Sequence, residues 1–315
     1  MKLNPVICPE CGDKLESAPY SPNPNGRPPR ASGFDSCLRK CSKCGIGLSN
    51  ARTPDVSKLT PIYRDPFRDV PDQRMREYCD EVLANAFNVN HRPQKKTEFQ
   101  SSKSEDHVCW VIFRYLQLQD LLAQTFTTMA ILNGQVPEKP TLLLWGAPVP
   151  PGDDCARELS IRLEAVSKKL GENQKSRSEP DVILDFKNAG LVLIEAKHKS
   201  RNEWKKADYK GWPMFLRNTQ AIAIPEDVRQ VGLYELTRNW RIGWDLAEGR
   251  PFRLINLGPA SLFAMPFAAA LSRFEKCLNT VDDRKFVLAT WCDLVAAITS
   301  PPPWLQKYLR ERGVV

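Results

Sequence analysis

Two Cys-x-x-Cys-Gly units, Cys8-Pro-Glu-Cys11-Gly and Cys41-Ser-Lys-Cys44-Gly, constrain this chain more than any other feature. The glycine after each pair lets the turn aim backbone N–H groups at the thiolates, and two such knuckles supply four soft ligands for a tetrahedral Zn²⁺. That coordination is closed, as in a structural site rather than a catalytic one. Cys37 is the alternative third ligand, although a Cys-x3-Cys spacing to Cys41 lacks the knuckle geometry. Cys79, Cys109, Cys155, Cys277 and Cys292 lie singly in apolar contexts and are assigned to packing. Clustered cysteines suit metal binding in a reducing compartment, the opening Met-Lys-Leu-Asn-Pro lacks the apolar core of a signal peptide, and no apolar run reaches the roughly 18 residues of a membrane span. A cytoplasmic protein with no membrane partner is expected.

The knuckles are separated by 29 residues that include the unpatterned stretch Ser21-Pro-Asn-Pro-Asn-Gly-Arg-Pro-Pro-Arg30, which reads as a long exposed loop. A zinc module over residues 1–50 serves either as a staple or docking surface, or as a nucleic-acid contact through Arg27, Arg30, Arg39, Lys40 and Lys43. The formal charge of +8 is compatible with a polyanionic partner without requiring one.

Residues 46–70 read as a linker that wraps or tethers, and residues 51–103 together as linker and helical extension, with helical spacing over Asp72–Ala86. From Ser104, which can cap a first turn, the apolar period predicts a helix to about Leu132. A buried strand follows at Thr141–Trp145, closed by Gly146, and an amphipathic helix at Asp153–Leu170. The apolar runs Asp181–Phe186 and Leu191–Ile194, separated by Lys187-Asn-Ala-Gly190, predict a hairpin. A long helix over Glu226–Glu248, strands at Arg253–Leu257 and Lys285–Thr290, a helix at Leu262–Leu278 and two terminal helices complete a mixed α/β domain over residues 104–315.

Chemistry concentrates at the hairpin. Pro180-Asp181 opens its first strand, and the second ends in Glu195-Ala-Lys197 after four apolar residues. Alternation puts Glu195 and Lys197 on one face, so two carboxylates and an ammonium can converge. Hard oxygen ligands of this kind hold Mg²⁺ or Mn²⁺, which can lower the pKa of a water and stabilise charge on a scissile phosphate. Lys197 would orient or help deprotonate the attacking water. In the bland alternative Asp181 caps a turn while Glu195 and Lys197 form a surface pair.

Pro180, Asp181, Glu195 and Lys197 resemble the signature of the PD-(D/E)XK nuclease superfamily, the restriction-endonuclease-like fold. The resemblance implies an αβββαβ core with helical additions beside the zinc ribbon, and a metal-dependent nuclease that hydrolyses DNA phosphodiester bonds in defence or DNA processing, RNA being left open as substrate. It implies that Asp181 and Glu195 bind Mg²⁺ or Mn²⁺ and that a first-helix acid joins them: Glu105, or, if Asp153–Leu170 is the first helix, Glu158 or Glu164. Glu179 is a further ligand candidate or only a strand-entry charge. Gln230-Val-Gly-Leu-Tyr234 is similar to the Gln-x3-Tyr motif of the RecB-like branch, in which the pair contacts the substrate strand; the alternative is a polar residue and a half-buried tyrosine on an amphipathic helix.

Between Lys197 and Gln230 lie Lys199, Arg201, Lys205, Lys206 and Lys210, interleaved with Trp204, Tyr209 and Trp212, either a phosphate and base contact or a solvated connector. His198 is expected to pack rather than react. The competing function is a binding protein without turnover, or a subunit active only in a homo-oligomer or larger complex.

Overall fold

The computed structural model describes residues 1–133, 139–281 and 283–315. The cysteine-bearing segment forms a hairpin of β1 (Val6–Ile7) and β2 (Lys14–Leu15) and an antiparallel sheet of β3 (Arg39–Cys41), β4 (Ile46–Leu48) and β5 (Pro61–Tyr63). Gly12 and Gly45 take positive φ, which lets each knuckle turn back on its first cysteine: Gly12 N–H donates to Cys8 O at 3.1 Å and Gly45 N–H to Cys41 O at 3.0 Å. The expected linker 46–70 is therefore folded, since it supplies β4 and β5, and Phe67 and Val70 enter the main core. Ile46, Leu48 and Ile62 are buried, a local alternation too short to be distinguished from coil by periodicity.

Short helices α1 (Cys79–Ala84) and α2 (Arg92–Glu98) lead to α3 (Glu105–Leu118), capped by Ser104 Oγ, which accepts from His107 N–H. The long helix expected to Leu132 is broken: Asp120 adopts φ 54°, and α4 (Leu122–Thr128) starts in a new direction. After β6 (Thr141–Leu144), Gly146 at φ 77° turns the chain into a second, unexpected strand, β7 (Ala147–Val149). Then come α5 (Asp154–Leu170), β8 (Val182–Asp185), β9 (Leu191–Ala196) and α6 (Trp212–Leu216). The helix expected over Glu226–Glu248 is two, α7 (Pro225–Val231) and α8 (Tyr234–Ala247), separated at Gly232 with φ 80°. β10 (Phe252–Gly258), α9 (Phe267–Lys276), β11 (Arg284–Thr290), α10 (Trp291–Ala296) and α11 (Pro303–Glu311) close the chain.

The large sheet has six strands in the order β11-β10-β9-β8-β6-β7. β9, β10 and β11 run parallel, while β8 is antiparallel to β9 and β6. Strands buried on both faces need helices on both, and parity sorts their side chains. Val192, Ile194 and Ala196 face a core shared with α3, α10 and α11, whereas Leu191 and Leu193 face one shared with α5 and α8. Glu195 has the parity of the second set, so its carboxylate is pressed toward α8. Cys79, Cys109 and Cys277 pack in the interior as expected, but Cys155 and Cys292 are exposed. Arg39, expected on a basic surface, is fully buried, and its guanidinium donates to the carbonyls of Asn4, Ser49, Ala51 and Thr53.

Helix α8 approaches the sheet closely because Gly243 lies over the Phe252 ring, where a Cβ would overlap ring carbons held by Trp240. Gly243→Ala is therefore expected to destabilise the fold by about 1–3 kcal/mol through overpacking, despite alanine's better helix propensity. Chemical denaturation of the two proteins checks this.

Candidate functional site

The hairpin delivers its polar ends to one place. Asp181, just before β8, accepts from the Ala196 backbone N–H at 2.8 Å, and its own carbonyl accepts from Trp145 N–H at 3.0 Å. Lys197, just after β9, donates its N–H to Leu257 O at 2.7 Å, and its carbonyl accepts from Trp291 Nε1 at 2.8 Å. The backbone just after Glu195 is thus tied on one side to Asp181 at the head of β8 and on the other to β10. Lys197 Nζ is bonded to Glu195 Oε1, lies 3.0 Å from Glu235 Oε2 and 3.8 Å from Glu105 Oε1, and is itself nearly fully buried.

Four further contacts hold those acids. Asn239 Nδ2 donates to Glu195 Oε2. Glu203 N–H donates to Glu235 Oε2 at 3.1 Å. Glu105 Oε2 accepts from His198 N–H at 2.6 Å and Ser200 Oγ at 2.8 Å. Beside Glu195, across the β9–β10 register, Asn256 exchanges two side-chain hydrogen bonds with Asn202 at 3.0 and 3.1 Å, which fixes the segment after Lys197. Adjacent to this group, Lys95 Nζ sits 2.9 Å from Asp106 and 3.1 Å from Glu179, whose other oxygen accepts from Asn88 N–H at 2.8 Å.

The electrostatics follow from burial. Asp181 is pushed up to about 7, first by burial and then by Glu105, with Lys197 and Lys95 opposing. Burial, Asp181 and Glu235 hold Glu195 well above the usual carboxylate range, and burial raises Glu105 against Lys197. Burial works against the Lys197 ammonium, yet Glu195, Glu235 and Glu105 outweigh it and keep the pKa well above normal. Glu235 is lowered, because Lys197 and Arg238 outweigh its burial. Four carboxylates thus surround two cations, Lys197 and Arg238.

The group forms the floor of a cleft of about 1110 Å³. Residues Arg27–Ser32 and Ser49–Arg52 of the cysteine-bearing segment line one side, and Lys103, Arg177, Lys199 and Arg238 add cations elsewhere. Asp181, Glu195, Lys197 and Glu105 all line it, whereas the alternative acids Glu158 and Glu164 are exposed outside it, Glu164 being paired with Arg177 at 2.7 Å. Gln230 and Tyr234 are not brought to it. The break at Gly232 puts them on different helices: Gln230 is exposed beside Glu226, and Tyr234 is buried among Tyr209, Trp212 and Phe215. Trp212, expected among contact aromatics, is likewise buried.

Helix α8 instead contributes Glu235, Arg238 and Asn239, none anticipated, although their i, i+3, i+4 spacing marks one helix face. His198 packs with both ring nitrogens buried and unpartnered, its pKa lowered to about 4 chiefly by burial. His107 is buried against Tyr308, and His91 is exposed at the cleft.

Among the described residues, one group of three or more potential ligands has all its donor atoms within 4.8 Å: Cys8, Cys11, Cys41 and Cys44. Four converging sulfurs fit a structural Zn²⁺. Cys37 stands apart, its Sγ donating to Gly33 O at 3.4 Å under Gly47. No helix among the described residues is long and apolar enough to cross a membrane. No protein-family model, curated protein or solved structure matches the chain.

Two outcomes are expected. Metal analysis of the purified protein should find zinc in about one-to-one ratio, lost in Cys8→Ser/Cys44→Ser, since four thiolates fill one tetrahedral site. Without added divalent cations, folded Asp181 keeps a proton that the unfolded chain sheds near pH 4. Its contribution to stability is therefore present in acid and lost as pH rises through about 7. The melting temperature of Asp181→Asn minus that of wild type should rise between about pH 5 and about pH 8; a flat difference would put the proton elsewhere.

Proposed function

We propose that the protein is a metal-dependent nuclease with a restriction-endonuclease-like core. The observation that carries this reading is the convergence of Asp181, Glu195, Lys197 and Glu105 on the floor of one cleft that cations flank. The element order α3, β6, β8, β9, α8, β10 corresponds to the αβββαβ order of that core, with α4, β7, α5, α6 and α7 as additions within it.

The donor set suits a hard divalent cation: its members are carboxylate oxygens, and the protons that burial holds on Asp181 and Glu195 are ones a bound cation would displace. Asp181 and Glu195 would hold Mg²⁺ or Mn²⁺ with the Ala196 carbonyl as a neutral donor, and Glu105 is the neighbouring third acid, the three carboxylates not closing to within 4.8 Å of one another. The bound ion would supply an activated water and charge stabilisation at the phosphate. Lys197 already occupies one Glu195 oxygen, so it acts as a built-in counter-ion. Because its surrounding acids keep it protonated, Lys197 serves as a cation that orients and stabilises charge on the phosphate, and not as the base. Glu235 and Asn239 position Lys197 and Glu195 from α8. The exposed Arg27, Lys103 and Lys199 suit a polyanionic substrate, DNA in the first instance.

Cleavage of linear, nicked and supercoiled DNA with Mg²⁺ or Mn²⁺ tests the reading. Asp181→Asn and Lys197→Gln, compared at equal folded concentration, should each cut at least about 100-fold more slowly than wild type. Salt-sensitive DNA binding with no cutting by wild type under either metal would favour a binding protein or a subunit that needs a partner.

A further inference from the structure

We infer that the cleft takes a single nucleic-acid strand and excludes intact duplex, with the cysteine-bearing module as its fixed outer wall and Trp204 as a base-stacking platform. The inference deepens the nuclease reading and rests on it for the identity of the substrate as nucleic acid.

The wall is the first observation. Arg27–Ser32 lies on one side of the cleft, and the segment is tied down on both flanks. Arg30 pairs with Glu98 at 2.6 Å, Phe34 N–H donates to Gln100 Oε1 at 2.7 Å, and Asn50 Nδ2 donates to Pro29 O at 3.0 Å. Glu98 and Gln100 belong to the segment that leads into α3, so the wall is braced against the same body that carries Glu105. Glu195 and Lys197 on the floor are only 2% and 5% exposed, so a phosphate reaches them by descending between the walls of the cleft, which the stiff, paired backbone of a duplex resists. A single strand can lower its phosphates to that floor one at a time.

The charges agree with a strand laid along the wall. Arg27 makes no side-chain hydrogen bond or ion pair among the described residues, and Arg52, held by Gly26 O, lines the same side. Both are exposed: Arg27 is free of side-chain partners among the described residues, and Arg52 keeps N–H groups beyond the one given to Gly26 O.

The second observation is an aromatic that a duplex has no use for. Trp204, next in the chain to the cleft-lining Glu203, is 55% exposed, yet it is not loose. Its Nε1–H donates to Val231 O at 3.2 Å, and the indole lies against Gly232, where any Cβ would overlap it. The helix break at Gly232 is what lets the ring lie there. A large π-face held rigidly in solvent stacks on an unpaired base, whereas bases inside a duplex are already stacked on each other.

Fluorescence anisotropy with a labelled oligonucleotide, presented single-stranded or annealed to its complement, tests this in Ca²⁺ buffer without requiring cleavage. The single strand is expected to bind at least about tenfold more tightly than the duplex. Arg27→Ala/Arg52→Ala should weaken single-strand binding and flatten its salt dependence by about 0.7 per arginine in the log–log slope. Trp204→Ala should cost about tenfold, with Trp204→Phe restoring most of it, so that a packing defect is told from a lost stack. Equal affinity for duplex, or single-strand binding untouched by both changes, would overturn the inference. Single-strand preference in a protein that cuts nothing would uphold it and sink only the nuclease reading, while a protein that binds and cuts duplex as well as single strand would do the reverse.

Discussion

A buried ammonium among acids is the constraint on which the rest of this molecule turns. Removing Lys197 and its partners from water carries a desolvation cost of several kcal/mol per charge, recovered only when geometry and further hydrogen bonds are in place. The structure meets that demand from every direction. β9 supplies Glu195 and the lysine, α3 supplies Glu105, α8 supplies Glu235 and Asn239, and the backbone after Lys197 caps Glu105. Each helix is itself located by the apolar faces of the same sheet. The hydrophobic layers therefore determine where the charges meet, and the charges explain why α3 and α8 must point their polar residues at one spot.

Much of this was legible in the sequence, for identifiable reasons. The two knuckles stood out because Cys-x-x-Cys-Gly is dictated by local turn geometry, and all four sulfurs converge. The hairpin of β8 and β9 stood out because uninterrupted apolar runs bounded by Asp181, Lys187–Gly190 and Glu195 have few alternatives. Parity alone then put Glu195 and Lys197 together. What escaped was set by tertiary contact. Gly232 and Asp120 break helices whose apolar period runs on through the break, because the turns serve packing that the pattern does not record. Once the helix broke, the Gln230–Tyr234 pairing dissolved, and the residue one step further, Glu235, took the place beside Lys197. Arg39 misled in the same way: a cation in a basic stretch looks like surface until Asn4 and the loop over residues 49–53 fold so that backbone carbonyls surround it.

The cleft also changes what the cysteine-bearing module is for. A four-sulfur site closed to substrate has no chemistry of its own to contribute. Its product is shape: it closes a chain segment too short to build a large core, and the loop between the knuckles is thereby held as one side of the cleft. The unusual length of that loop then has a physical account. It must reach from the knuckles to Glu98 and back, and its prolines reduce the conformational entropy lost when it is held there.

Lys95, Asp106 and Glu179 extend the same logic one layer outward. Burial works against the Lys95 ammonium, but Asp106, Glu179 and Asp181 hold its pKa above normal, so it remains a cation at the side of the cleft where Asp181 lies. Its charge offsets part of the negative potential of the floor without occupying an Asp181 oxygen by direct contact. One Asp181 oxygen is already engaged by the Ala196 N–H, which orients the carboxyl. The acids of the floor are compensated from two positions: Lys197 at the centre and Lys95 beside them, paired with Asp106 and Glu179. That balance, rather than any single residue, is what the packing of α3 and α8 against the two faces of the mixed sheet holds in place.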